Sequence, residues 1–143
     1  MAYTVVRKHE IHCGHRVVGH EGKCANLHGH GYIFEFHCSA HSLDNIGRVI
    51  DFSVIKKTVC QWLEDHWDHR LLLWREDPWA QALSAIDKTI VMLPFNPTAE
   101  NLGHYLLETI APELLHPYNV NCHRVVVHET GNCWAISEQN LSR

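Results

Sequence analysis

Hydrophobic and polar positions alternate over two long stretches near the start of the chain. Tyr3 to Val18 is rich in Val and Ile with polar residues between, which predicts a strand. His28 to Ala40 alternates again, with Tyr32, Phe34 and Phe36 facing one way and Ile33 and Glu35 the other. Gly19 to Leu27 between them reads as a loop, and Ser42 to Gly47 as a turn. A long antiparallel hairpin follows, with the loop folded over it. The period then changes. Phe52, Ile55, Val59, Trp62 and Leu63 fall near helical spacing, so Asp51-Phe52-Ser53 is a helix start with Ser53 as N-cap, and the helix runs to about His66. Leu71 to Ile86 has no clear period. A short helix is expected around Trp79 to Ile86, with Pro78 in its first turn, and an extended segment at Lys88 to Leu93.

Asn96-Pro97-Thr98 opens a second long helix, whose apolar face is Leu102, Leu106, Ile110 and Leu114; Pro112 should kink it. Val120 to Glu129 is a strand, Thr130 to Asn132 a turn, and Cys133 to Ser137 the last strand. The order ββααββ predicts an α+β fold: one antiparallel four-stranded sheet with two helices on one face, formed by residues 1–143 as a single domain. Such a sheet leaves edges and a second face exposed, and oligomerisation is one way to cover them.

Composition narrows the function. With 143 residues, 45% of them hydrophobic, the chain can bury a core. No apolar run approaches the ~20 residues of a membrane span. The first residues lack the apolar region of a signal peptide, so a soluble, cytoplasmic protein is expected. A net charge of −4 argues against nucleic-acid binding. Six cysteines without a C-x-x-C pair indicate neither a zinc ribbon nor a thioredoxin-type site.

Histidine is in excess, at 14 residues. Within Cys24-Ala25-Asn26-Leu27-His28-Gly29-His30, the pair His28 and His30 shares one face of a strand and can aim at one metal ion. A third ligand must come from elsewhere: His15 is the first candidate, with His12 and His37 as competitors. Asp68-His69 follows the first helix, and an Asp can hold a His in one tautomer for proton transfer; the alternative is a helix-closing Asp beside a surface His. Glu129, at the end of an apolar strand, either orients a ligand or is a solvated strand end.

These pieces together resemble the 6-pyruvoyl-tetrahydropterin synthase and 6-carboxytetrahydropterin synthase family, which has the tunnelling (T-) fold. The matching residues are His15-Arg16, Cys24-x-x-x-His28-Gly29-His30, Gly47-x-x-x-Asp51-Phe52, Asp68-His69, Asn96 to Leu102 and His128-Glu129-Thr130. The resemblance implies that His15, His28 and His30 bind Zn2+. It implies that Cys24 is the catalytic thiol with Asp68 and His69 as its proton-relay partners, and that Glu129, with Thr98 nearby, holds the pterin. The cysteine-to-histidine spacing is more similar to the 6-carboxy branch. That branch converts 7,8-dihydroneopterin triphosphate to 6-carboxytetrahydropterin, acetaldehyde and triphosphate, on the way to 7-deazaguanine compounds such as queuosine. It also implies a homohexamer of two stacked trimers with active sites between subunits. Arg16, Lys23 and Arg70 are candidates for triphosphate contacts. Two departures stand out: Ile11-His12-Cys13-Gly14-His15, where many members have Phe and Ala, and a longer stretch from Leu71 to Phe95.

Overall fold

The computed structural model describes residues 3–139. Two long strands form first: β1 (Tyr3–His15) and β2 (His28–Ala40) pair antiparallel along their whole length, from Tyr3 opposite Ala40 to His15 opposite His28. β1 ends at His15 rather than Val18, because the next residues turn inward and bond the loop, Val17 N–H donating to the Cys24 carbonyl at 2.8 Å. Helix α1 spans residues 52–66, with a wide, π-type turn over Lys56–Cys60. Its N-cap is Asp51, not Ser53: the Asp51 carboxylate accepts from Ser53 N–H at 2.9 Å.

The next segment corrects the expected topology. Leu71–Trp74 forms β3, Ala80–Ile86 forms α2, and Val91–Leu93 forms β4. β3 runs parallel to both β1 and β4, with Gly14 opposite Leu71 and His15 opposite Leu72. Leu72 and Leu73 are both fully buried, as continuous apolar runs in parallel strands are. Without alternation, and with a strand this short, the period gives no strand signal for β3. Helix α3 then spans residues 99–115, and Pro112 follows a π-type stretch at Leu106–Ile110 without ending it. β5 (Asn121–His128) and β6 (Trp134–Glu138) complete the sheet by antiparallel pairing.

The result is α+β, but with a six-stranded mixed sheet in the order β4-β3-β1-β2-β5-β6 instead of four antiparallel strands. Tyr32, Phe34 and Phe36 of β2 are fully buried in one core with Leu63 of α1, Trp67 just after it, and Leu102 and Leu106 of α3. Each such side chain contributes roughly 1.5–3 kcal/mol by leaving water. The opposite face of the sheet carries polar and partly exposed groups, among them Glu35, His37, Trp134 and Ile136. Among the described residues, no helix is long and apolar enough to cross a membrane.

Candidate metal centre and active site

Register brings the histidines together. His15 lies directly opposite His28 in the β1–β2 ladder, and His30 sits one same-face step further along β2. The ring centroids of His15 are 4.5 Å from His28 and 5.2 Å from His30, and those of His28 and His30 are 4.8 Å apart. One ring nitrogen from each lies within 4.8 Å of the others. Gly29 permits this close strand pairing, since a Cβ there would stand 3.2 Å from the Cys13 carbonyl oxygen. His12 and His37, the competing ligands, face the other side of the sheet. His12 stands near the His69 ring, and His37 bonds Glu35 at 2.9 Å.

Backbone carbonyls fix the ring orientation. His15 Nδ1–H donates to the Pro97 carbonyl at 2.6 Å, and His28 Nδ1–H to the Asn26 carbonyl at 2.7 Å. Each neutral ring therefore keeps a lone pair on Nε2, yet those two Nε2 atoms are 3.0 Å apart. Facing lone pairs repel unless a cation lies between them. His30 Nε2 is buried with no hydrogen-bond partner. Burial, together with the neighbouring imidazoles, lowers the pKa of His15 to about 4 against the pull of the Pro97 carbonyl. Burial lowers that of His30 as well. Neutral imidazoles with converging lone pairs and an orphaned nitrogen are the donor set a divalent metal takes. Cys13, on the same face, is buried, and burial, with Asp68 nearby, pushes its thiol up to about 12.

Tyr32 lies beneath the cluster, its hydroxyl 3.2 Å from both nitrogens of His15. Burial raises its pKa, as do the charges of Cys13, Glu129 and Cys24. Cys24 sits in a short 3-10 turn at Lys23–Ala25, and its carbonyl accepts from the N–H of Val17, two residues past His15. Glu129 follows the end of β5 and puts Oε1 3.5 Å from His30 Nε2. It also lines a recess of about 230 Å3 with Glu100, Cys133 and Trp134.

Two expected site residues stand elsewhere. The Asp68 carboxylate accepts from the His12 backbone N–H at 2.9 Å and bonds His69 Nδ1 at 2.8 Å, forming the expected Asp–His pair. Burial opposes ionisation of Asp68, but these two donors hold its carboxyl below the usual range. His69 is mostly exposed, has a positive φ of 60°, and opens onto a recess lined by His12, Gly29 and Gly31 and also by Cys13 and His30. The dyad bonds the backbone at the edge of β1, and the His69 ring stands beside that of His12, which faces away from the cluster. Among the described residues no hydrogen bond joins the dyad to Cys24 or to the three histidines. Thr98 uses its hydroxyl oxygen as the N-cap of α3, accepting from Asn101 N–H at 3.1 Å. The sequence reading did not anticipate Tyr32 or Pro97; only the alternation in β2 hinted at the first.

The family model described as 6-pyruvoyl tetrahydropterin synthase matches residues 4–140. A curated protein of Rickettsia felis, named 6-carboxy-5,6,7,8-tetrahydropterin synthase, is 36% identical over 130 residues, covering 90% of this chain and 94% of that protein. Among solved structures, an uncharacterized protein from Wolinella succinogenes superposes with a TM-score of 0.88 at 20% identity, covering 98% of this chain and 99% of that one. The 6-pyruvoyl tetrahydropterin synthase of Plasmodium vivax does so at 0.75 and 21%, covering 99% of both chains. The structural likeness establishes the fold, and the family match spans nearly all of the sequence. The chain belongs to the 6-pyruvoyl tetrahydropterin synthase family.

Proposed function

We propose that this chain is a zinc-dependent 6-carboxytetrahydropterin synthase, a cytoplasmic lyase acting as a single domain in a homohexamer. It converts 7,8-dihydroneopterin triphosphate and water to 6-carboxytetrahydropterin, acetaldehyde and triphosphate, on the way to 7-deazaguanine compounds. The observation that carries this reading is the pair of Nε2 lone pairs 3.0 Å apart, with the orphaned His30 Nε2 beside them. The 6-carboxy branch is favoured by the name of the R. felis relative, which this chain matches along 94% of its length.

His15, His28 and His30 hold the ion. Zinc held by these three imidazoles would lower the pKa of the substrate's side-chain hydroxyls. Cys24 takes and returns protons at the substrate side chain. Asp68 holds His69 through Nδ1, which leaves His69 Nε2 to exchange protons with that thiol. Because no hydrogen bond among the described residues joins the dyad to Cys24 within one chain, this relay uses the dyad of a neighbouring subunit. Glu129 accepts two parallel N–H bonds from the amino-pyrimidine end of the pterin. Thr98 acts through the start of α3, which fixes the Pro97 carbonyl on His15. In the reaction the bond between the first and second side-chain carbons breaks and triphosphate leaves the third. The first carbon is oxidised to a carboxyl with its second oxygen from water, and the second becomes the aldehyde. The electrons released reduce the ring and the third carbon, which ends as the methyl of acetaldehyde, so no outside redox partner is needed.

Mass spectrometry of the products tests this. Metal-loaded protein and 7,8-dihydroneopterin triphosphate should yield 6-carboxytetrahydropterin and acetaldehyde. A 6-pyruvoyl product assigns the other branch, and unchanged substrate despite bound metal refutes the enzyme.

A further inference from the structure

Arg16 is a candidate for phosphate contact in the sequence, but its side chain points inward. Its Nε and Nη2 donate to the two carboxylate oxygens of Asp77 at 2.6 and 2.9 Å, and Nη1 donates to the Ala25 carbonyl at 2.8 Å. Its Cζ lies 3.6 Å from the centroid of the Trp79 ring. The side chains of Arg16 and Asp77 are 8% and 0% exposed. Three of its five N–H donors serve Asp77 and Ala25, and the buried fork is directed at these protein acceptors rather than outward to a phosphate.

What these contacts join is more informative. Arg16 follows His15 of the cluster, and Ala25 follows Cys24. Asp77 and Trp79 belong to the connection between β3 and α2. The next residue repeats the link, Val17 N–H donating to the Cys24 carbonyl at 2.8 Å. Asn96 anchors the other end: its side chain accepts from Val18 N–H at 3.0 Å and donates to the Val18 carbonyl at 2.9 Å. Two consecutive carbonyls of the Cys24 turn are thus held by Arg16 and Val17. The turn has no buried residue and no side-chain cap of its own. Its internal bonds, Asn26 N–H to the Lys23 carbonyl at 2.9 Å and Ala25 N–H to the Gly22 carbonyl at 3.2 Å, close the turn, and the bonds from Arg16 and Val17 tie it to the end of β1.

We propose that Arg16, clamped between Asp77 and Trp79, is the positioning residue that fixes the Cys24 turn beside the histidine cluster. This rests on the reading of Cys24 as the proton-transferring thiol. A buried ion pair adds little to stability over an apolar substitute, and a fork that serves two acceptors while stacking on an indole supplies geometry instead. It also gives the stretch Leu71 to Phe95 a task, since that stretch carries both jaws of the clamp.

The test uses Arg16→Lys, which keeps the charge and loses the fork, and Trp79→Ala, which leaves the ion pair and removes the stacking face. Each is measured for metal content, for kcat and KM on 7,8-dihydroneopterin triphosphate, and for the rate of Cys24 alkylation by iodoacetamide, followed on the Cys24 peptide. Metal content and KM should match the wild type, and Cys24 should be alkylated several-fold faster. The kcat should fall on the order of 10- to 100-fold, as a reacting group misplaced by about an ångström implies. Wild-type kcat and alkylation rate overturn the proposal, and so does a parallel loss of metal, which would make Arg16 scaffold for the cluster alone. If Arg16→Lys does not fold, Trp79→Ala decides by the same split. Wild-type protein that binds metal but leaves the pterin unchanged refutes the synthase reading, while the alkylation rates still decide whether Arg16 holds the turn.

Discussion

The charge state of His15 couples the site to pH. Its pKa is lowered from 6.5 to about 4 by burial and by its neighbours. Above pH 6.5 the ring is neutral whether the chain is folded or not. Between 6.5 and about 4 the unfolded chain binds a proton that the folded chain refuses, so stability is lost as pH falls through this window. For metal-free protein the loss amounts to about 3 kcal/mol. Denaturant titrations across the window should show it, and His15→Gln should flatten the slope; an unchanged slope would remove His15 as its source. Cys24→Ala, by contrast, should keep the fold and the metal and lose most turnover. Metal analysis and steady-state rates decide, and a fully active variant ends the thiol's role. At this scale much was legible. An H-x-H pair on a strand predicts its own shared face, and His15 over His12 follows once the β1–β2 register is known. The Pro97 carbonyl that orients His15 was not legible, because a contact across 82 residues leaves no local pattern.

At the level of elements, the long alternating strands and the two long helices were readable because each repeats its period many times. The ends were less so. Asp51 caps α1 where Ser53 was expected, since both residues are good caps and only backbone geometry chooses. β4 falls within the extended segment expected at Lys88 to Leu93, but β3 was unreadable as a strand, being short and held by parallel partners distant in sequence. Thr98 caps α3 through its hydroxyl oxygen, a structural role beside the place near the pterin that the resemblance implies. Thr98→Val should cost about 1 kcal/mol of stability through the lost cap, while Thr98→Ser should keep it. Thermal melting distinguishes them, and equal stability of the two would contradict the cap.

For the whole molecule, the open face of the sheet and its edges, β4 and β6, call for a cover. That face carries Trp134 and Ile136 about half exposed, beside a network in which Glu35 bonds His37 at 2.9 Å and His128 at 2.6 Å. Asp68 and His69 also make no hydrogen bond, among the described residues, to Cys24 or the cluster of their own chain. Both facts fit active sites completed by a second copy. Mixing inactive Cys24→Ala and His69→Ala proteins after joint unfolding and refolding should restore measurable turnover, since some sites then combine intact halves. No recovery would mean that thiol and dyad serve the same chain. A single chain cannot reveal this from its sequence, because neither half of such a site carries a mark of where its partner lies.

The central claim is that the converging imidazoles exist to hold a metal ion. Elemental analysis of the purified protein and of His28→Ala tests it most directly. The account predicts close to one zinc per chain in the wild type and almost none in the variant, with both proteins folded. Wild-type protein that folds without metal and takes up none when zinc is supplied would contradict it.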